Sequence, residues 1–311
     1  MKRLQNKIAE SKNTLPVVTV YGAGVWLLTG LMSDNLWVPF CILIATVLLL
    51  VYLNNSIALL RVRSRMVSCT YIVLACSACQ LFPSTSGGLA AMCLTTSLLF
   101  LFHTYQDKHA VGKVYYAFLF IGLASLSFIK FLWFVPLVWI LMASNMQSLS
   151  ARTIASSLLG IITPYWIITP WFILQNDFSW IQFHWLQLIT FEPTFNYLGI
   201  PTGIIIVFLF TFTLTALSIT HLIRFGFEDR TRIRLTLGFL CIFSIACMVG
   251  LVIEPQYYDP MLRFVFVLSS PVIAHFLTLT SSRVSNITFF VIIALALAIT
   301  ALNIWMPSFN F

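Results

Sequence analysis

Long apolar runs, separated by short polar breaks, fill almost the whole chain. A helix needs about 20 such residues to cross the ~30 Å hydrocarbon core of a bilayer. Reading runs of suitable length as spans predicts crossings over 15–32, 36–53, 66–82, 89–103, 153–173, 202–222, 235–253, 260–280 and 287–306. The run that decides the map is 114–143, VYYAFLFIGLASLSFIKFLWFVPLVWILMA, whose single charge, Lys130, stands near its middle. It is too long for one crossing and tight for two. A lysine at mid-membrane costs about 2.5–3.5 kcal/mol on insertion scales. A turn at Lys130 between two short helices lets the ammonium reach water and removes most of that cost. The pattern therefore predicts a helical hairpin over 114–143 and eleven spans in all.

Charge placement sets the orientation. With the N-terminus inside, every one of the 17 Lys and Arg residues except Lys130 and Arg263 falls in an inner segment, as the positive-inside bias requires. Treating 114–143 as a single span would carry Arg152 and the Arg224–Arg234 cluster outside. The expectation is an all-α polytopic membrane protein of about eleven transmembrane helices, N-terminus in and C-terminus out. It has a basic inner tail over 1–14, one multi-pass domain over 15–306 and a short outer tail over 307–311. The first apolar run is long for a signal-peptide core and no small-x-small cleavage pattern follows it, so it reads as a retained helix. The N-x-[ST] matches at Asn54 and Asn286 map inside and are not read as glycosylation sites.

Two stretches depart from plain spans. Residues 153–173 repeat Ile-Thr-Pro, and Pro164 and Pro170 each remove a backbone hydrogen bond, which predicts a kinked or locally unwound helix. Thr163 and Thr169 are placed to satisfy some of the freed carbonyls; Pro271 likewise interrupts the span over 260–280. The long connection 174–201 has no Lys or Arg but carries Trp180, His184 and Trp185. Its helical spacing predicts an interfacial helix on the outer leaflet, serving as an anchor or as a lid over a substrate.

Composition excludes a water-soluble globule: 60% of residues are hydrophobic and 8% charged, against about 25% charged in soluble domains. Mean hydropathy is +0.96. The net charge of +8 is accounted for by inner loops and does not point to nucleic acid. The seven cysteines lie in apolar spans, where Cys packs as a small hydrophobe. Cys76-Ser-Ala-Cys79 has redox spacing but falls within a predicted helix with no βαβ context.

Chemistry in so apolar a chain is expected where charge collects, on the outer face: Asp34, Lys130, Asp177, His184, Glu192, Glu254, Asp259 and Arg263. Asp259-Pro260 suits a helix start, and Arg263 follows at the spacing of an ion pair. This piece reads as a cap with an ion pair, or as an arginine gripping a phosphate with help from Lys130. Asp34 reads as a turn residue or as a general base. His184 reads as an interfacial side-chain tip or as a ligand. No His, Cys or carboxylate group has metal-ligand spacing, so no metal and no cofactor are predicted. There is no phosphate-binding loop of the G-x-x-x-x-G-K-[ST] type, no G-x-S-x-G and no H-E-x-x-H.

Asn55-Ser56 before the basic turn Arg61–Arg65, the run Ile121-Gly122-Leu123-Ala124-Ser125-Leu126 before Lys130, and Arg263 through Pro271 resemble an uncharacterised family of polytopic bacterial inner-membrane proteins. The layout is more distantly similar to the GT-C glycosyltransferases that use polyprenyl-phosphate sugars. That resemblance implies a GT-C-like helical scaffold, with Asp34 in the place of the catalytic acid. The family's first outer loop is long; here it is only Ser33-Asp34-Asn35. The leading expectation is a multi-pass protein of the bacterial inner membrane and cell envelope. Its outer face would bind or process a lipid-linked phosphate or sugar, with Lys130, Glu254, Asp259 and Arg263 contacting it. The expected partners are membrane lipids, a polyprenyl-phosphate-linked sugar or another envelope membrane protein. A non-catalytic scaffold subunit is the alternative from another class, and a transporter the third reading.

Overall fold

The computed structural model describes residues 3–62, 64–174, 179–190, 197, 199–280 and 282–305. Its elements in chain order are α1 (Leu4–Glu10), α2 (Thr14–Leu28), α3 (Trp37–Ile57), α4 (Met66–Ser77), α5 (Thr85–Phe102), α6 (Val111–Ser127), α7 (Val135–Leu141), α8 (Ala151–Leu174), α9 (Ser179–Ile189), α10 (Thr202–Phe225), α11 (Thr231–Ile253), α12 (Tyr258–Leu279) and α13 (Arg283–Trp305). No strand occurs among the described residues. Among the described residues, eight helical stretches are long and apolar enough to cross a membrane: α3, α5, Ile129–Met146 around α7, α8, Thr202–Glu228, α11, Pro255–Leu279 and α13. Three shorter apolar helices, α2, α4 and α6, fall on the remaining predicted runs. The chain is a polytopic helical membrane protein.

The helices group into two compact units, Met1–Thr85 with Phe195–Phe311, and Ser86–Thr194. In the second unit α6 and α8 lie in close contact and run parallel. Val111 meets Ser156 through a 2.7 Å hydrogen bond, Tyr115 meets Thr163 at 3.1 Å, and Ser125 meets Tyr165 at 2.7 Å. Parallel neighbours require the stretch between them to carry the chain back, which Ile129–Met146 does. The hairpin read at 114–143 is thus present, broken at Phe128, whose backbone leaves the helical region. Two glycines permit the approach. A Cβ on Gly160 would lie 2.6 Å from the Tyr115 carbonyl, and one on Gly122 would lie 2.8 Å from that of Ile161. In an apolar medium, where burying leucine from lipid gains little, small residues that let backbones meet supply the contact.

In the first unit α12 is the innermost helix, buried along most of its length, and α4 is almost wholly buried too. Pro271 does not break α12. The carbonyl it frees, that of Val267, accepts a 3.2 Å bond from the Ser270 hydroxyl, and Thr70 of α4 donates to the Ser270 carbonyl at 3.0 Å. Trp26 stacks on Phe82 at 3.8 Å, and Asn303 caps the end of α4 by donating to Ser77 O at 2.7 Å.

Besides the break expected at Pro271, the unwinding expected over 153–173 and the solvated Lys130 need correction, and the basic tail over 1–14 gains detail. The basic tail over 1–14 contains a helix: α1 forms, and Gln5 donates to Leu277 O at 2.7 Å and to Thr280 Oγ1 at 2.8 Å. These bonds satisfy polar groups at the end of α12. Of the kink or local unwinding expected over 153–173, the unwinding does not occur, since α8 continues through Pro164 and Pro170. Thr163 and Thr169 donate to Leu159 O and Tyr165 O, each at 2.7 Å. These carbonyls neighbour the freed ones, which belong to Gly160 and Trp166. Lys130, finally, does not reach water; it is 2% exposed. Protein side chains take the place of solvent around it, with Nζ 5.1 Å from the centroid of the Trp133 ring.

Gly160→Val should therefore destabilise the second unit by about 1–3 kcal/mol, the usual range for overpacking. Thermal unfolding in detergent would show it as a lowered Tm, with Gly24→Val, at a position where a Cβ meets nothing within 4 Å, as the neutral control.

Candidate functional site

Side chains with chemical potential collect at three places, each within one unit. The first lies at the start of α12, where the sequence places a cap. Arg263 Nε donates to Asp259 Oδ1 at 2.8 Å, one helical turn away. Its Nη2 donates to the carbonyls of Leu81 and, at 3.1 Å, Ser84, while the Ser84 hydroxyl bonds the other Asp259 oxygen. Here the guanidinium fastens the turn after α4 to α12. Glu254, at the end of α11, is 2% exposed. Asp34 is exposed in its own turn, its amide donating to Gly30 O at 2.9 Å.

The second place is in the other unit and surrounds the 129–134 turn. Lys130 belongs to this unit and Arg263 to the first. Trp133 Nε1 donates to Leu188 O at 3.1 Å and holds α9 on the turn. The Tyr165 hydroxyl lies 2.7 Å from Ser125 Oγ and 3.4 Å from His184 Nε2. The Trp185 ring sits 5.1 Å from that of Tyr165, and Trp185 stays 41% exposed. Trp180 lies in α9 by its backbone, but its side chain is outside the described residues, as are Asp177 and Glu192. His184 is buried, and burial holds its pKa below the ordinary value, partly opposed by a hydrogen bond to the Ser125 main chain.

The third place is one that sequence reasoning missed. About 24 Å of helix beyond Asp259, His275 of α12 pairs through Nε2 with Asp229 Oδ2 at 2.8 Å; both side chains are 2% exposed or less. The His221 ring of α10 lies 5.9 Å from that of His275. Arg61 and Glu228 form a 3.0 Å pair, each about half exposed. These five residues line one cavity of about 580 Å³. The available signals were the only two acids in the basic segment 224–234 and two lone histidines near span ends.

Comparison of the chain with protein-family models, with curated proteins and with solved structures returns no match.

Two outcomes follow from the first two places. Arg263→Ala should lower stability by about 2–3 kcal/mol, since charged hydrogen bonds contribute about 1.5–3 kcal/mol each. Arg263→Lys should recover little, because an ammonium cannot reproduce the fork; Tm values in detergent check both. For His184 the folded pKa is lowered, so its contribution to docking α9 is complete above about pH 6.5. It is lost as pH falls through the window below that value. Proteolysis of the 174–201 connection should accelerate between pH 7.5 and pH 5.5, and His184→Gln should flatten that dependence.

Proposed function

We propose that this multi-pass protein binds a membrane amphiphile whose apolar part occupies a cavity inside the first unit. The observation that supports the reading is an apolar pocket of about 490 Å³, open at the surface, between α2, α4, α10, α12 and α13, walled by residues such as Val17, Val73, Phe210, Ile273 and Ala296. An enclosed apolar void of about 150 Å³ already binds benzene, and an open apolar pocket of this volume has room for part of an acyl or prenyl chain. The polar members of its wall are unevenly placed. Thr70 is committed to carbonyls of α4 and α12, and Tyr21 to Thr300 at 2.8 Å. Ser11, Asn13 and Thr14 gather at the junction of α1 and α2. An amphiphile would enter with its chain in the pocket and its head at that junction, beside Lys12.

A bacterial inner-membrane location and a polyprenyl-phosphate ligand are compatible with such a cavity, and the lipid class is what the experiment names. Sugar transfer on a GT-C-like scaffold draws less support. Asp34 is the only acid between Glu10 and Asp107, and neither Asp34 nor Arg263 lines the cavity.

Native mass spectrometry of gently extracted protein should show a stoichiometric lipid adduct. Ala296→Trp and Val73→Phe, which fill the pocket, should each reduce it at least tenfold while the protein stays folded. Undiminished adduct in both folded variants would sink the proposal. A co-purifying membrane protein with no lipid adduct would favour the scaffold reading.

A further inference from the structure

We infer a second, separate binding site: the polar cavity at the His275 end of α12 takes a primary ammonium group, which docks against Asp229 and His275. The argument starts from charge. Among the five charged or titratable residues lining the cavity, Arg61 and Glu228 neutralise each other at 3.0 Å. That leaves the Asp229 carboxylate, 1% exposed in its side chain, facing two histidines. A buried carboxylate needs a compensating charge and hydrogen bonds to its oxygens.

A proton on His275 is one way to supply the charge, and the hydrogen bonding disfavours it. An imidazolium has two N–H donors. Nε2 serves Asp229 Oδ2, but Nδ1 is buried with no partner among the described residues. Charging the ring would bury an orphan donor. In the neutral ring Nε2–H donates to the carboxylate and Nδ1 becomes an acceptor, the tautomer that such a pair enforces. Asp229 Oδ1 is likewise buried and unpartnered among those residues, and so is Nδ1 of His221. Asp229 Oδ1 and His275 Nδ1 are thus acceptors without donors, beside a carboxylate that no Lys or Arg bonds among the described residues.

A primary ammonium brings both, as a point charge with three donors. A quaternary ammonium brings the charge without the donors. No three His, Cys or carboxylate groups among the described residues are arranged to hold a metal ion. The space, about 580 Å³, far exceeds the roughly 30 Å³ share of one water. Ser285 and Thr288 of α13 line the same cavity and add hydroxyls that a polar amine can use. The ammonium could belong to a free amine or to an aminophospholipid headgroup; the chemistry recognised is the same.

The test uses the full chain in nanodiscs containing only phosphatidylglycerol, with ethanolamine as the probe. Ethanolamine should raise Tm in a saturable manner, as expected for a ligand of the folded state, and tetramethylammonium at equal concentration should not. Asp229→Asn should weaken the ethanolamine response at least tenfold in concentration, while Asp34→Asn, at an exposed carboxylate outside this cavity, should keep it. No shift in the wild type, or an equal shift from both cations, would overturn the inference without need of any variant. Repeating the titration with phosphatidylethanolamine in the discs separates the sources: a headgroup occupant abolishes the added shift, and a free amine leaves it. Because this cavity is lined by residues distinct from those of the apolar one, Ala296→Trp should leave the ethanolamine response intact.

Discussion

A helix enclosed by protein can carry only those polar groups whose partners also come from protein, because neither water nor lipid is there to supply them. α12 lives under that constraint, and the first unit is arranged to meet it. The Arg263–Asp259 pair near its start draws in the turn after α4. The backbone around Pro271 is completed by Ser270 and by Thr70 of α4. His275 is met by Asp229 just before α11, and the last turn by Gln5 of α1. Each of these positions on α12 thus specifies a neighbour. Together they define a register that interchangeable apolar side chains could not.

The second unit solves a different problem. α8 is largely exposed within the described chain, with Trp166, Ile167 and Trp171 outward, so apolar burial cannot be what selects its partner. Close backbone approach at Gly122 and Gly160, with hydroxyl pairs along the seam, selects α6 instead. The 129–134 turn then presents Trp133 to α9 and keeps Lys130 under cover. The two units differ in what carries specificity: buried polar bonds in one, small residues at a seam in the other.

Run length and the distribution of lysine and arginine were enough to read the helices and the reversal at 114–143. Both effects act locally, on windows of about one span. The Asp259–Arg263 pair was legible for the same reason, lying one turn apart on one helix. The His275–Asp229 pair was not, because it joins a span to a loop across 46 residues. The loop's acids were hidden among arginines that carry the topology signal. Lys130 was misjudged because its sequence context shows the penalty of burying it but not that the turn would lay the Trp133 ring against it and close protein around both. α1 was missed because a basic tail gives no hint that its glutamine closes the end of a helix hundreds of residues later.

The parallel pairing of α6 and α8 bears on how the chain is assembled. Ser125 meets Tyr165 across 40 residues, so at a synthesis rate of about 5–20 residues per second α6 waits about 2–8 s for its partner. During that interval its seam, including Gly122, Tyr115 and Ser125, stands open to whatever the insertion machinery offers. The seam's hydroxyls and glycines must then be tolerable when exposed as well as complementary when closed. That dual demand fits glycines and weakly polar hydroxyl side chains in these places, rather than charges that would pair more strongly but insert less readily.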